Sequence, residues 1–280
     1  MQRFPIQLLS LLVLTPAAAA SAEPSPDWTP IPIIGKSEEV ARFAAPEARQ
    51  GVAVDADHIY VIGNHEIGKY RKRGFAKVAS WSCPEGEPLI HLNAGIILDG
   101  QLYASHSNYP GIPMLSSVEV FDPGTLEHVD SHSFGRGPGS HTWLDRRAGD
   151  WYAFFAHYAN RAAEPDRDPS WSELVRYDSE WRRLEGWLLP EAILERVGKY
   201  SASGGAFGPG GYLYITGHDA QELYVLTFPK GGGRLEVIGR VPIQAEGQAF
   251  AFDPEDPRLV YTILKRTREV IVERLTLTFE

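Results

Sequence analysis

Gly205–Val225 reads GAFGPGGYLYITGHDAQELYV. A short apolar strand is followed by a Gly-Pro-Gly-Gly turn and a second strand, YLYIT, which ends in Gly217-His218-Asp219. A third strand, LYVLTF, comes directly behind. Strands this short, joined by turns this tight, make an antiparallel meander. The unit recurs along the chain. GVAVDADHIYVIGNHEIGKY, AGIILDGQLYASHSNYP, HTWLDRRAGDWYAFFAHY and GQAFAFDPEDPRLVYTILKR each hold an apolar strand, an Asp, Gly or Pro turn, a Tyr-bearing strand and a polar tip.

Tyr60, Tyr103, Tyr152, Tyr214 and Tyr261 anchor the units, at separations of 43, 49, 62 and 47 residues. Repeats of about 40–50 residues with about four strands each are the signature of β-propeller blades. A β-sandwich has no reason to repeat both the turn chemistry and the aromatic placement in every unit. The expected fold is all-β: a single propeller of five four-stranded blades over residues 23–280. Glu38–Ala45 alternates like a strand ahead of the first unit, and EVIVERLTLTFE runs to the C-terminus in the last. Pairing the two closes the ring and removes an exposed sheet edge. The N-terminal strand is therefore expected to complete blade five.

The blades fall at about 51–86, 91–134, 139–190, 201–243 and 246–280. Blade three carries the longest insertion, Ala159–Ser170, whose Asp, Arg and Pro content is that of a surface loop. Pro190–Val197 reads as a short helix, opened by Pro and ended by Gly198. Ahead of the propeller, Met1-Gln2-Arg3, the apolar run Ile6–Leu14 and Ala20-Ser21-Ala22 spell a secretory signal peptide, residues 1–22, cleaved before Glu23. The apolar run is too short to anchor in a membrane. Cys83 is the single cysteine, so no intramolecular disulfide can form, and a core of this size needs none. Secretion without disulfides or glycosylation sites points to the bacterial periplasm. A net charge of −9 argues against a general binder of nucleic acid or anionic membrane, which concentrates Lys and Arg.

In a propeller, the loops from second to third strands and the lead-ins to first strands emerge on one face. Six of the nine histidines (His65, His91, His106, His141, His157 and His218) fall at these places. Neutral imidazole is the commonest ligand of transition metals, and converging imidazoles can hold one ion with open positions. The expected cofactor is a divalent metal ion on His65, His106, His157 and His218. The other chemistry open to such a ring is acid–base work without metal. Counted from each blade's Tyr, these histidines stand at +5, +3, +5 and +4, so His218 has the opposite strand parity unless a bulge intervenes. His91, Glu246 and Asp219 are the candidate catalytic groups. Asn93, Asn108, Tyr109, Tyr158, Lys265 and Arg268 are the candidate substrate contacts, with the two cations suited to a carboxylate or phosphate. Trp143 and Tyr200 are further candidates for stacking walls. A Gly-rich phosphate loop, a Gly-x-Ser-x-Gly elbow and a His-Glu-x-x-His pair are all absent from the sequence.

The units GxxxxDxxxIYV and GPGGYLYITGHD resemble those of secreted bacterial β-propellers of the NHL and gluconolactonase/lactonase-like kind, across nearly all of residues 23–280. A weaker resemblance is to propellers labelled cycloisomerase. The lactonases typically have six or seven blades and carboxylate-dominated sites, from which five blades and a His-rich face depart. Signal peptide, His-rich face and cationic tip together give the expected function: a periplasmic, metal-assisted enzyme acting on a small anionic, carbohydrate-like or lactone substrate by hydrolysis, elimination or isomerisation. The alternative is a non-catalytic propeller that binds a sugar or a protein partner. A monomer is expected, with a small-molecule substrate, no nucleic-acid partner and no membrane anchor.

Overall fold

The computed structural model describes residues 28–279; the predicted signal peptide and its cleavage point lie outside them. The first strand, β1 (Gly35–Ala44), is set apart from the regular repeat. Blade one then runs β2 (Gly51–Val54), β3 (His58–Ile62), β4 (Glu66–Arg71) and β5 (Lys77–Ser82). Blade two is β6 (Leu92–Leu98), β7 (Gln101–Ser107), β8 (Leu115–Phe121) and β9 (His128–Arg136). Blade three is β10 (Ser140–Arg147), β11 (Asp150–Ala156), β12 (Glu173–Tyr177) and β13 (Arg183–Leu188), followed by a helix, α1 (Glu191–Val197). Blade four is β14 (Gly204–Phe207), β15 (Leu213–Thr216), β16 (Glu222–Thr227) and β17 (Glu236–Pro242). Blade five is β18 (Ala251–Phe252), β19 (Leu259–Leu264) and β20 (Glu269–Leu277), with β1 as its fourth strand. β1 pairs antiparallel with β20 from Gly35↔Leu277 to Ala44↔Glu269. The ring closes as the sequence predicts.

The recurrent tyrosines have one register. Tyr60, Tyr103, Tyr152, Tyr214 and Tyr261 each lie on a second strand, opposite Ala53, Ile96, Asp145, Ala206 and Ala251 of the first. Each packs into the seam with the next blade, and the buried apolar side chains form five such seams. Tyr60 lies with Leu92 and Leu102 of blade two, and Tyr214 with Phe250 and Val260 of blade five. Turn chemistry and aromatic placement recur together because they bond. The Tyr60 hydroxyl donates to turn residue Asp55 at 2.7 Å, and Tyr261 to Asp253 at 3.2 Å.

Five blades leave little room at the axis. A Cβ on Gly204 would stand 2.5 Å from the Ala249 Cα, and one on Gly205 2.4 Å from the Trp143 indole. The Gly-Gly pair thus lets β14 approach both of its neighbours. The lead-in strand covers the outer edge of blade four. Ile34 N–H donates to Arg240 O at 3.0 Å and Arg240 N–H to Pro32 O at 2.9 Å, so that edge is not left bare. No helix among the described residues is long and apolar enough to cross a membrane.

Candidate functional site

Where the first strands begin, each blade offers one polar side chain to the axis: Gln50, Asn93, Thr142, Ser203 and Gln248. Two of these positions are made by β-bulges. β6 carries one extra residue between Leu92 and Gly95, and β10 one between His141 and Trp143. A bulge re-aims a side chain that strict alternation would send elsewhere, and here it turns Asn93 and Thr142 to the axis. The ring is fastened within blade one and across the seams from blade two to three and from three to four. Gln50 donates to Asn64 Oδ1 at 2.6 Å, Asn93 to His141 O at 3.4 Å, and Thr142 to Ala202 O at 3.1 Å. These polar side chains are buried yet keep partners, and they form the floor of a cavity of about 830 Å³.

Second-strand tips and lead-ins form the wall. Arg49, His91, Tyr109, Arg161, His218 and Lys265 stand on it, with Tyr158, Asn160 and Tyr200 between them. Two aromatic pairs flank the mouth. His91 packs on Tyr109, which meets the Tyr158 ring edge-on at 5.1 Å. Tyr200 stacks on His218 at 4.0 Å. α1 sets up the second pair: Gly198, at φ 53°, stops the helix, and a single 3₁₀ turn, Gly198–Tyr200, delivers the tyrosine to the mouth.

The electrostatics are one-sided. Three full cations and two imidazoles line the cavity, and no carboxylate does, on a chain of net charge −9. Burial, reinforced by Arg49 and Arg268, lowers the Lys265 pKa. Burial and the nearby charges of Lys265 and Arg161 push His91 down to about 3, so its imidazole is neutral at physiological pH. Asp219 and Glu246 offset the Lys265 charge only in part from outside the wall, and like charges in such excess make a site for an anion.

Of the residues predicted from sequence, His91, Asn93, Tyr109, Tyr158, Lys265 and His218 line this cavity. The other three predicted metal ligands do not join His218. His65 sits by Ile90 O at 3.1 Å. His106 is buried within its blade, by Ser117 Oγ at 2.9 Å and facing Glu119. His157 is buried against Glu164 at 3.1 Å and Arg167 at 3.3 Å. The offsets mislead because the strands end at different points: β3 stops at Ile62, short of His65, whereas β7 runs through His106 to Ser107. Among the described residues no three His, Cys, Asp or Glu side chains gather to hold an ion.

Four further predicted residues lie off the cavity wall. Asp219 is exposed and bonded to His218 Nδ1. Glu246 faces Arg266 at 3.7 Å. Asn108 pins its own loop, accepting from Leu115 N–H at 2.8 Å and donating to Pro113 O at 3.1 Å; through that loop it positions Tyr109. Arg268 reaches Pro46 O at 3.4 Å. Of the other histidine and aromatic candidates, His141 and Trp143 are fully buried, whereas Tyr200 does stand on the wall. Asn64, Ser203 and Gln248 fall in the tips and lead-ins that the sequence places on this face, though without a predicted role, and sequence reasoning missed Arg49, Gln50, Thr142, Asn160 and Arg161. For most of the floor a signal existed. A polar residue precedes Gly or Ala in Gln50-Gly51, Asn93-Ala94, Ser203-Gly204 and Gln248-Ala249, because the axis is too crowded for anything larger behind it.

No protein-family model and no curated protein matches the chain. Solved structures do match. A luciferin-regenerating enzyme is similar at TM-score 0.52 and 11% identity, over 86% of this chain and 95% of the other. The PQQ-bound aldose sugar dehydrogenase of Streptomyces coelicolor is similar at TM-score 0.54 and 11% identity, over 88% of this chain and 100% of the other. A gluconolactonase from Xanthomonas campestris, at TM-score 0.49 and 12% identity, covers 80% of this chain and 71% of that one. The resemblance read from the repeats holds at the level of fold.

Proposed function

We propose that the chain is a periplasmic enzyme that takes a small anionic, carbohydrate-like molecule into the axial cavity and transfers a proton on it. The observation that carries this reading is a cavity lined by Arg49, Arg161 and Lys265 without a carboxylate, whose floor offers amides and hydroxyls suited to sugar hydroxyls. The same donor set does not fit a resident divalent cation. Two separate imidazoles among three positive side chains repel one, so no step is assigned to a metal.

Lys265 is the proton-transfer group. Its lowered pKa makes the free amine more accessible near neutral pH than an ordinary lysine's. Acting on a carbon next to an acid or carbonyl group, the amine takes the proton and the electron pair moves onto the carbonyl oxygen. Arg49 and the floor amides hold that negative oxygen. For isomerisation the neighbouring hydroxyl gives up its proton to that oxygen as its own carbon becomes the new carbonyl, and the ammonium returns the carbon-bound proton to the former carbonyl carbon. For elimination the electron pair moves back to re-form the carbonyl, a carbon–carbon double bond forms, and the β-hydroxyl departs with the ammonium's proton as water. His91, neutral, orients the substrate by hydrogen bonding.

The second reading, a binding propeller without chemistry, is favoured by one observation. With His91 held at about 3, the wall offers Lys265 and His218 as proton acceptors and no carboxylate. Proton NMR in D₂O separates the two. Five- and six-carbon uronates, aldonates and aldarates are incubated with the protein, and exchange of the carbon-bound proton is followed. Exchange with wild type and none with Lys265→Met supports the enzyme. Binding without exchange across the panel leaves the binding propeller. Neutral aldoses bound as tightly as the acids would remove the anionic reading altogether.

A further inference from the structure

We infer that the cavity is built for a dianion, a short polyol carrying an acid group at each end. This rests on the anionic reading above and adds where each charge sits. Arg49 leads into blade one and Lys265 tips the second strand of blade five, so both flank the seam where the ring closes. Arg161 belongs to the loop after β11 in blade three. In a ring of five, blade three lies across the axis from the seam between blades five and one. The loops that carry the cations therefore stand at two poles of the mouth, with the Arg161 guanidinium leaning over Tyr109 of blade two.

The second pole has its own signature. Asn160 Oδ1 accepts from Ala162 N–H at 2.8 Å, which fixes the amide. Its Nδ2 is buried and has no hydrogen-bond partner among the described residues. A buried donor left unpaired is costly, and this one lines the cavity beside Arg161. A small turn of the Asn160 side chain would bring the amide to an acid oxygen held by the guanidinium, so that one oxygen satisfies both. The pole is also held in place. The Arg161 guanidinium lies over the Tyr109 ring, 5.5 Å from its centre. Glu164, three residues on, accepts from Met114 N–H at 3.1 Å and faces His157 at 3.1 Å, and Arg167 donates to Gly137 O at 2.7 Å. No carboxylate is ion-paired with Arg49, Arg161 or Lys265 among the described residues, whereas Arg176 and Arg183, on the outer strands of blade three, are paired. Between the poles, Asn93 and Thr142 face the axis and can read hydroxyls along the chain.

Calorimetric titration of the processed protein with aldaric acids of four to six carbons, the matching aldonic acids and the matching aldoses tests this. The diacid of one length is expected to bind at least about tenfold tighter than its monoacid, as one further charge-assisted hydrogen bond implies. In Arg161→Gln and in Asn160→Ala that ratio is expected to fall toward one, with melting temperatures near wild type. Diacids binding no tighter than monoacids at every length, or a ratio that survives both substitutions, overturns the dianion while the anionic reading stands. Aldoses binding as tightly as aldonic acids overturns the anionic reading itself, and the dianion with it.

Discussion

Lys265→Met separates a ligand-binding cation from a structural one, because the two roles move stability in opposite directions. Methionine keeps the length of the side chain and removes its charge. In the native protein the ammonium is partly buried, and Arg49 and Arg268 add to the penalty while Asp219 and Glu246 relieve it only in part, so the pKa lies below its ordinary 10.5. The native chain thus binds fewer protons than the unfolded chain between the lowered value and 10.5. Stability must rise with pH across that window. Below the window the cost of the charge is fully present. The substitution removes that cost, so Lys265→Met should melt at or above the wild-type temperature at neutral pH, with the difference closing as pH climbs toward 10.5. Binding should go the other way. A charge-assisted hydrogen bond to an anion contributes roughly 1.5–3 kcal/mol, or about a ten- to hundredfold loss in affinity. Thermal melts from pH 7 to pH 10.5, with calorimetric titration of an aldonate at pH 7, read both effects. A clear fall in melting temperature with unchanged aldonate affinity would refute the reasoning and make Lys265 a structural group.

Asp145 provides a pH test on the opposite side of the channel. Burial raises its carboxyl to about 6, against an ordinary 3.8, although it accepts from Phe207 N–H at 2.7 Å and Arg146 N–H at 2.6 Å. The native state therefore holds the extra proton, and stability falls as pH rises through that window, by up to about 3 kcal/mol. Asp145→Asn should lose this dependence in urea unfolding at pH 4 to pH 7, whereas parallel curves would place the titration elsewhere. Gly205→Ala puts a methyl 2.4 Å from the Trp143 indole and should cost roughly 1–3 kcal/mol by overpacking. Combined with Trp143→Phe the loss should be less than additive, and strict additivity would mean that the two residues do not compete for space.

The fold was legible because its signal is repeated and local. Tyr60 and Asp55 sit five residues apart and bond directly; Tyr261 and Asp253 repeat the arrangement, so one physical unit prints similar letters in separate blades. The helix after blade three could be read for the same reason, since Pro190 and Gly198 bound it in sequence and in space. The site was legible only in part. Lys265, His91 and Asn93 were found by placing tips and lead-ins on one face. The four tip histidines do not converge, because a fixed offset from Tyr does not correspond to a fixed place on strands of unequal length. Arg268 was expected at the mouth because charge was counted along one loop, whereas Arg49 reaches the cavity from the neighbouring blade. The Asn93 and Thr142 bulges have no sequence marker, so the side chains they redirect could not be assigned to the axis by alternation.

The size of the ring bears on the kind of anion. With Gly204 and Gly205 needed to let the inner strands meet, the axis has room for short polar side chains on the floor. Long, charged side chains must come from loops around the mouth. The cations that line the cavity therefore stand at that mouth, on a chain with 36 acidic residues against 27 basic ones. At physiological ionic strength, exposed charges are screened over about 8 Å. A small anion at the mouth feels mainly Arg49, Arg161 and Lys265. Cations at the mouth over a floor of short polar side chains therefore select first by charge, in favour of a small acid over the neutral sugar of the same length.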